Sequence, residues 1–373
     1  MQTYIPNLTQ VIKKRVAVAS VLKTITDTRM FEKLGWSLAV HTAAEVHIVG
    51  FPAEEAPEIP NIIFHPVFRK PFGRLSFKRI ITPWKILGLL LKIKPQTVII
   101  TTHELLIAGC LYKFLTGARL FYDVQENYFC NIRFTPAFPR WLRLPLSTWV
   151  RFKERLLAPA IECFFLAEKG YEAELMFARP CMVLENKFPE RMVKPVAGHN
   201  RLRLLFTGTL APTTGVLQAV DLAVQLHKLS NGIDLTIVGH APQYAFLRRL
   251  KAKIAAHAFI HLEASLYPIP HRRIIRAIEN AGTGIIIYPP NPSTSSSVPT
   301  KLYEYLGMGI PVLIQHSGPS HDLVKRCRGG IVLSGAMDYP QILHELSHLQ
   351  APFRDASLYW ESQIPGLLKV LGI

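Results

Sequence analysis

The chain has 373 residues, 49% of them hydrophobic and 18% charged. That balance excludes a disordered or fibrous protein, and the length calls for two domains rather than one core. Lys and Arg number 43 against 26 Asp and Glu, a formal net charge of +17, which points to an anionic partner: nucleic acid, an acidic membrane face or phosphorylated ligands. The excess is uneven. Residues 1–195 hold 27 basic and 16 acidic side chains, and no acid stands between Glu58 and Glu104. Arg69, Lys70, Arg74, Lys78, Arg79, Lys85, Lys92 and Lys94 all fall in that stretch. Five scattered cysteines without CxxC spacing argue for a reducing compartment and against a disulfide frame or a zinc site. The N-terminal residues lack an apolar signal region, and the most apolar helical stretch, 84–93, falls short of the ~20 residues a bilayer span needs.

In chain order, a buried strand is expected at 15–22, then a helix at 29–40 and strands at 46–49 and 62–67. A basic helix at 77–94 ends before Pro95. It is followed by a strand at 97–101, a helix at 105–115 and a strand at 120–123. A basic, Trp-bearing stretch at 136–158 precedes strands at 163–167 and 182–184. Residues 189–200, with two prolines and a glycine, read as a linker. The pattern then restarts with strands at 202–207, 235–238, 259–262, 284–288 and 311–314. Helices are expected at 215–229, 244–256, 269–279, 299–308 and 358–371. Continuous apolar strands alternating with helices imply parallel sheets covered on both faces, hence two Rossmann-like halves facing a cleft. In such sheets ligands sit outside the carboxyl ends of the strands.

The second half carries the richest motifs. Phe206-Thr-Gly-Thr-Leu-Ala-Pro-Thr-Thr-Gly-Val216 is a strand, a Gly/Thr loop and a helix start. Gly208, Thr209, Thr214 and Gly215 let backbone N–H groups approach a phosphate there. No GK[ST] follows, so it is not a P-loop. Leu235-Thr-Ile-Val-Gly-His-Ala-Pro242 repeats the strand-then-glycine logic at Gly239. The run Pro299-Thr-Lys-Leu-Tyr-Glu-Tyr-Leu-Gly-Met-Gly-Ile-Pro-Val312 places Lys301 and Glu304 three apart on one helix face. They are either a surface ion pair or a functional pair, with Lys301 facing phosphate and Glu304 accepting from ribose hydroxyls.

This last run resembles the donor-binding signature of GT-B glycosyltransferases, particularly family GT4, and the resemblance extends over nearly the whole chain. Thr26-Asp-Thr-Arg29 with Leu34-Gly-Trp-Ser-Leu38 is similar to the family's first-helix region, which brings in Asp27 and Arg29 on the cleft side. Trp360-Glu361 resembles the aromatic–acid pair before the C-terminal helix. The resemblance implies an acceptor-binding domain at 1–190, a nucleotide-sugar domain at 201–355, and a C-terminal segment at 356–373 crossing back to the first. It implies that Glu304 holds the donor ribose and that Lys301 and the 208–215 loop face the diphosphate. It further implies retention at the anomeric carbon and no required metal or cofactor.

Several positions depart from the family pattern. Thr209 to Pro212 and Thr214 stand where cations are usual, and Ser296 stands where the first acid of the EX7E pair belongs. Lys187 and Arg29 are candidates to supply the missing charge. In the first half, Thr101-Thr-His-Glu-Leu105 and Tyr122-Asp-Val-Gln-Glu-Asn-Tyr128 end strands at the cleft. Gln125 occupies the place of a family histidine near the sugar. It cannot act as a base but can hydrogen-bond a hydroxyl. His103, Glu104 and Glu126 are the remaining polar groups able to position a sugar.

Residues 69–94 and 133–155 combine cations with Trp84, Trp141 and Trp149. A basic amphipathic helix with aromatic anchors reads as a contact for an anionic membrane surface. Two Rossmann-like halves and no RRM, KH or helix-turn-helix pattern exclude nucleic acid as the partner. The expectation is a cytoplasmic enzyme, peripheral on the inner face of the plasma membrane. It moves a sugar from a nucleotide-sugar to a hydroxyl acceptor, such as a lipid-linked saccharide, in surface polysaccharide or glycolipid synthesis. The alternatives are a nucleotide-sugar epimerase of the same architecture and a non-catalytic sugar-nucleotide-binding subunit.

Overall fold

The computed structural model describes residues 13–70, 72, 76–135, 138–194, 200–289, 291, 297–315, 318–333, 335 and 337–373. Ser296, Arg74 and part of the expected linker lie outside the described residues. The first sheet contains β1 (Arg15–Thr24), β2 (Glu45–Phe51), β3 (Ile62–Pro66), β4 (Thr97–Ile100), β5 (Arg119–Val124), β6 (Cys163–Leu166) and β7 (Cys181–Val183), in the order β3-β2-β1-β4-β5-β6-β7. The second contains β8 (Arg203–Thr209), β9 (Asp234–His240), β10 (Ile260–Ser265), β11 (Thr283–Ile287), β12 (Val312–Gln315) and β13 (Gly330–Val332), in the order β10-β9-β8-β11-β12-β13. Every strand pairing in both sheets is parallel.

Alternation along the strands divides each sheet's apolar residues between two cores. In β1, Ala17, Ala19 and Val21 pack on one face while Val16 and Val18 pack on the other. In β8, Leu204 and Phe206 oppose Leu205 in the same way. Burial on both faces is why these strands read as continuous apolar runs. Strand order reverses between β1 and β4 in one sheet and between β8 and β11 in the other, and those switch points open the crevices where ligands bind in such folds.

The expected first helix departs from regularity. It opens as a π-helix, Thr28–Gly35, and becomes α-helical only over Trp36–His41. Asp27 caps it, accepting from the Arg29 and Met30 amides. This wide turn buries two cations, Arg29 and Lys33. Strand β13 and the helices Pro319–Arg326 and Tyr339–Ser347 were not expected from sequence.

The chain ends by returning to the first sheet. Trp360, Ile364, Leu367 and Leu371 enter the core built by Val16, Val18 and Val46. Trp360 is fully buried and its indole N–H donates to Ser37 Oγ at 2.8 Å. Truncating it removes both the ring packing and that bond. Trp360→Ala is expected to cost about 3–5 kcal/mol, measured as a lower urea midpoint for unfolding of the first sheet's core.

Candidate functional site

On the second sheet, β8 and β9 pair Gly208 with Gly239 at their carboxyl ends. A Cβ on Gly239 would lie 1.9 Å from the Gly208 carbonyl oxygen, so only glycine fits. Beyond β8 the loop turns through Pro212–Thr214 into Gly215 and the helix Val216–Leu229. Gly215 has φ +77°, and a Cβ there would meet the Ile287 carbonyl oxygen at the end of β11. The loop therefore hugs the sheet's carboxyl edge. Thr214 closes it locally: its Oγ1 accepts from Ala211 N at 3.1 Å and donates to Ala211 O at 2.9 Å. Thr209 is exposed. The loop offers backbone and hydroxyl groups without a cation.

Lys301 and Glu304 sit on the helix Thr300–Gly307, whose amino end follows β11. They do not form the surface ion pair that their spacing allows. Lys301 is buried, donates to the Thr207 carbonyl at 3.3 Å and lies 3.9 Å from the Phe206 ring centroid and 5.0 Å from that of Tyr288. Burial pulls it down to about 7, against the attraction of Glu304. Among the described residues no carboxylate forms a salt bridge with it. A cation held by rings and a carbonyl is poised to gain from an anionic ligand.

Glu304 turns instead to His271, the first residue of the helix His271–Glu279. His271 Nε2 lies 3.1 Å from Glu304 Oε1, and its Nδ1 lies 2.6 Å from Glu32 Oε2 on the π-helix of the first sheet. Each ring nitrogen faces a carboxylate, so both donate and the ring is an imidazolium. Burial opposes that charge, but the ring's hydrogen bonds to Glu304 and Glu32 outweigh it and raise His271 to about 10. Burial likewise opposes ionisation of Glu304, whose pKa nevertheless falls because His271 bonds it and Lys33 and Lys301 lie near.

The first sheet contributes a balanced set. Arg29 makes a buried, forked contact with Asp123, its Nε 2.8 Å from Oδ2 and its Nη2 2.5 Å from Oδ1. Its charge is thereby matched inside the domain. Gln125 Nε2 donates to the same Asp123 at 2.8 Å. Asp27 pairs with Lys23 at 3.2 Å. Lys33 donates to the carbonyl and side-chain oxygens of Asn186. Burial, reinforced by Arg29, pulls Lys33 down to about 7. Asn186 Nδ2 in turn donates to Thr300 Oγ1 at 2.8 Å, and Glu168 accepts from Val298 N at 2.9 Å. Burial pushes Glu168 up to about 8. Lys187 lies 3.5 Å from Glu185.

A second cluster stands at the end of β4. Lys153 Nζ lies 3.1 Å from His103 Nδ1, and an ammonium can only donate, so Nδ1 accepts and the ring is neutral. Burial pulls His103 down to about 4, helped by Lys153 and Arg79 against Glu104. Glu104 is bound by Arg79, Nε to Oε1 at 2.5 Å, and Tyr128 packs edge-on against His103. Glu126 is exposed and accepts from Asn131 at 2.7 Å. Thus the structure gathers His103 and Glu104 in one group, Arg29 and Gln125 around Asp123 in another, and Lys301 and Glu304 on the opposing helix.

No known protein-family model and no curated protein matches the chain in sequence. Solved structures do match in shape. Sucrose-phosphate synthase from Thermosynechococcus elongatus aligns with TM-score 0.69 at 12% identity, over 96% of this chain and 98% of that one. The catalytic domain of starch synthase IV from Arabidopsis thaliana, bound to ADP and acarbose, aligns at 0.65 and 11% over 96% and 99%. HepE from Anabaena, in complex with UDP and glucose, aligns at 0.60 and 13% over 96% and 99%. The chain has the GT-B fold.

His271, Glu32, Lys33, Asn186 and Glu168 were not singled out from sequence. Glu32 and His271 are 239 positions apart, and no local spacing signals such a pair. The His271 bridge has a pH signature. Its folded value lies above the ordinary 6.5, so its stabilisation is complete below pH 6.5 and is lost as pH rises through about 10. The Tm gap between wild type and His271→Gln is therefore expected to be widest near about pH 6 and to close toward about pH 10. A gap constant across that range contradicts the imidazolium assignment.

Proposed function

We propose that the protein is a glycosyltransferase that moves a sugar from a nucleoside-diphosphate sugar to a hydroxyl acceptor, with retention. The observation that carries this reading is the helix Thr300–Gly307, which brings a buried cation, without a salt-bridge partner among the described residues, and an ionised carboxylate to the carboxyl end of a parallel sheet. A carboxylate accepts from two neighbouring ribose hydroxyls, and Lys301 with the amides of the 208–215 loop meets the diphosphate. Positive charge at the departing diphosphate lowers the barrier because it stabilises charge that develops in the transition state. Neighbours of the same fold are described with UDP or ADP bound, which is in keeping with such a donor. Residues 1–190 form the acceptor side, 201–355 the donor side, and 356–373 return to the first. In this reading His103, with both ring nitrogens engaged or protonated, shapes the acceptor wall, and Gln125 and Glu126 hydrogen-bond sugar hydroxyls.

We further propose that the acceptor is lipid-linked and that the first domain docks on the inner face of the plasma membrane, in surface polysaccharide or glycolipid assembly. Among the described residues no helix is long and apolar enough to cross a membrane. The helix Leu106–Thr116 packs against both Lys78–Ile93 and Arg140–Leu157. Together they expose Phe77, Ile80, Trp84, Phe114, Trp141, Trp149 and Phe152 among Lys85, Lys92, Arg140 and Arg155. Exposed aromatic residues and cations on the same helices suit an anionic interface, at roughly 1 kcal/mol per Lys or Arg near the surface.

Two experiments test these readings. Titration with nucleoside diphosphates is expected to show binding that Glu304→Ala or Lys301→Met weakens about 10–100-fold, the worth of one charge-assisted hydrogen bond. Sugar interconversion from the donor alone, without acceptor, would replace the transferase by an epimerase. In flotation, the protein is expected to rise with phosphatidylcholine vesicles only when they contain phosphatidylglycerol, and Trp84→Ala with Trp149→Ala is expected to abolish it. Equal recovery with and without the anionic lipid overturns the membrane reading.

A further inference from the structure

Neither Glu32 nor His271 touches the sugar or the diphosphate in the reading above, yet together they determine what Glu304 can do. The imidazole sits between one carboxylate of each domain, and all three side chains are at most 15% exposed. Without the charged ring, two carboxylates drawn to one spot would repel each other. His271 engages Oε1 of Glu304, and no described side chain hydrogen-bonds Oε2. One oxygen is thus clamped and the other is left for a ligand. The same helix is gripped a turn earlier by the first domain, where Lys33 holds Asn186 and Asn186 holds Thr300. Arg191 fixes the Glu32 backbone carbonyl, so the far end of the clamp is itself anchored.

We propose that His271 and Glu32 are positioning residues for Glu304: the ring, braced by Glu32 across the cleft, fixes the carboxylate for the nucleoside ribose, so that grip on the nucleotide depends on apposition of the two domains. The inference rests on the reading of Glu304 as the ribose carboxylate. It extends that reading by assigning part of nucleotide affinity to a residue of the opposite domain that touches no nucleotide. A bridge that served stability alone would act equally with and without ligand and would leave nucleotide affinity unchanged. A positioning bridge acts through one chain of contacts, so the effects of its members do not add.

The test is a double-mutant cycle on the full chain. Calorimetric titration with UDP, ADP, GDP and CDP is run on wild type, His271→Gln, Glu32→Gln and the double variant. Thermal unfolding of each confirms that it is folded. For whichever diphosphate binds wild type, each single variant is expected to lose about 10-fold in affinity. The double variant is expected to lose no more than His271→Gln alone. With the matching nucleotide-sugar, KM is expected to rise with kcat little changed. Wild-type affinity in the single variants, or losses that multiply in the double, overturns the inference and leaves the donor reading standing. If wild type binds none of the four, the donor reading fails and the inference falls with it. Should His271→Gln not fold, Glu32→Gln and Glu32→Ala carry the test, because Glu32 lies at the far end of the bridge; unchanged affinity in both overturns it.

Discussion

A carboxylate buried where two domains meet has to be matched by positive charge, and at Glu304 that charge is an imidazolium held from both sides. His271 supplies it from the second sheet, and Glu32 holds His271 from the first. Desolvating these groups costs several kcal/mol each unless they pair well, so the geometry of the bridge constrains how the sheets approach. The contacts of Asn186 with Thr300 and Glu168 with Val298 then seat the amino end of the same helix. The carboxyl ends of both sheets are thereby turned toward one another. That arrangement brings strand-end residues from two separate switch points to one cleft.

Charge in the cleft is rationed rather than abundant. Arg29, which the sequence offered for a diphosphate, is consumed by Asp123, because a guanidinium on the buried side of a π-helical turn needs a forked partner. Lys187 leans toward Glu185, and Thr214 spends its hydroxyl on closing its own loop. Lys301, like Lys33, has no salt-bridge partner among the described residues. Aromatic rings and a carbonyl can hold an ammonium, but they do not neutralise it, and burial lowers its pKa toward 7. An arriving phosphate would raise that value again, so ligand binding and proton uptake by Lys301 are linked by the same desolvation.

The architecture was legible because its signals are local. Apolar runs doubly buried in parallel sheets leave a continuous pattern, and twelve strands stand where that pattern predicts them. The three-residue β13 was missed because it opens on Gly330 and leaves Val332 exposed, so no buried apolar run marks it. Gly215 and Gly239 stood out as glycines of strand-end turns, and each lies where a Cβ would strike a backbone carbonyl, while Lys301 and Glu304 share one helix as their spacing implies. What the pair does with that proximity was not legible. The choice between an ion pair and two separate partners is made by Thr207 and His271, which lie far off in sequence and near only after folding. The π-helical start after Asp27 was hidden for a related reason. Its register is set by what Arg29 and Lys33 must reach in other elements, and Thr28–Gly35 by itself reads as an ordinary helix.

The net charge of +17 separates, on this structure, into an outer and an inner set with different physics. The outer cations stand among exposed aromatic residues on the helices Lys78–Ile93 and Arg140–Leu157, where water screens them and only a charged surface makes them count. Each of those two helices also sends at least one cation inward. Arg79 reaches Glu104 and Lys153 reaches His103, so both helices converge on the carboxyl end of β4. There the same residue type, removed from water, fixes a histidine as neutral and a carboxylate as ionised. The exposed aromatic residues and the cations at the end of β4 are therefore carried by the same two helices. In the proposed reading, an acceptor held in a membrane beneath those aromatic residues meets the protein on the helices that also bring Arg79 and Lys153 to the strand ends. A lipid-linked hydroxyl would then reach the donor by passing around these helices, with its anchor still in the bilayer.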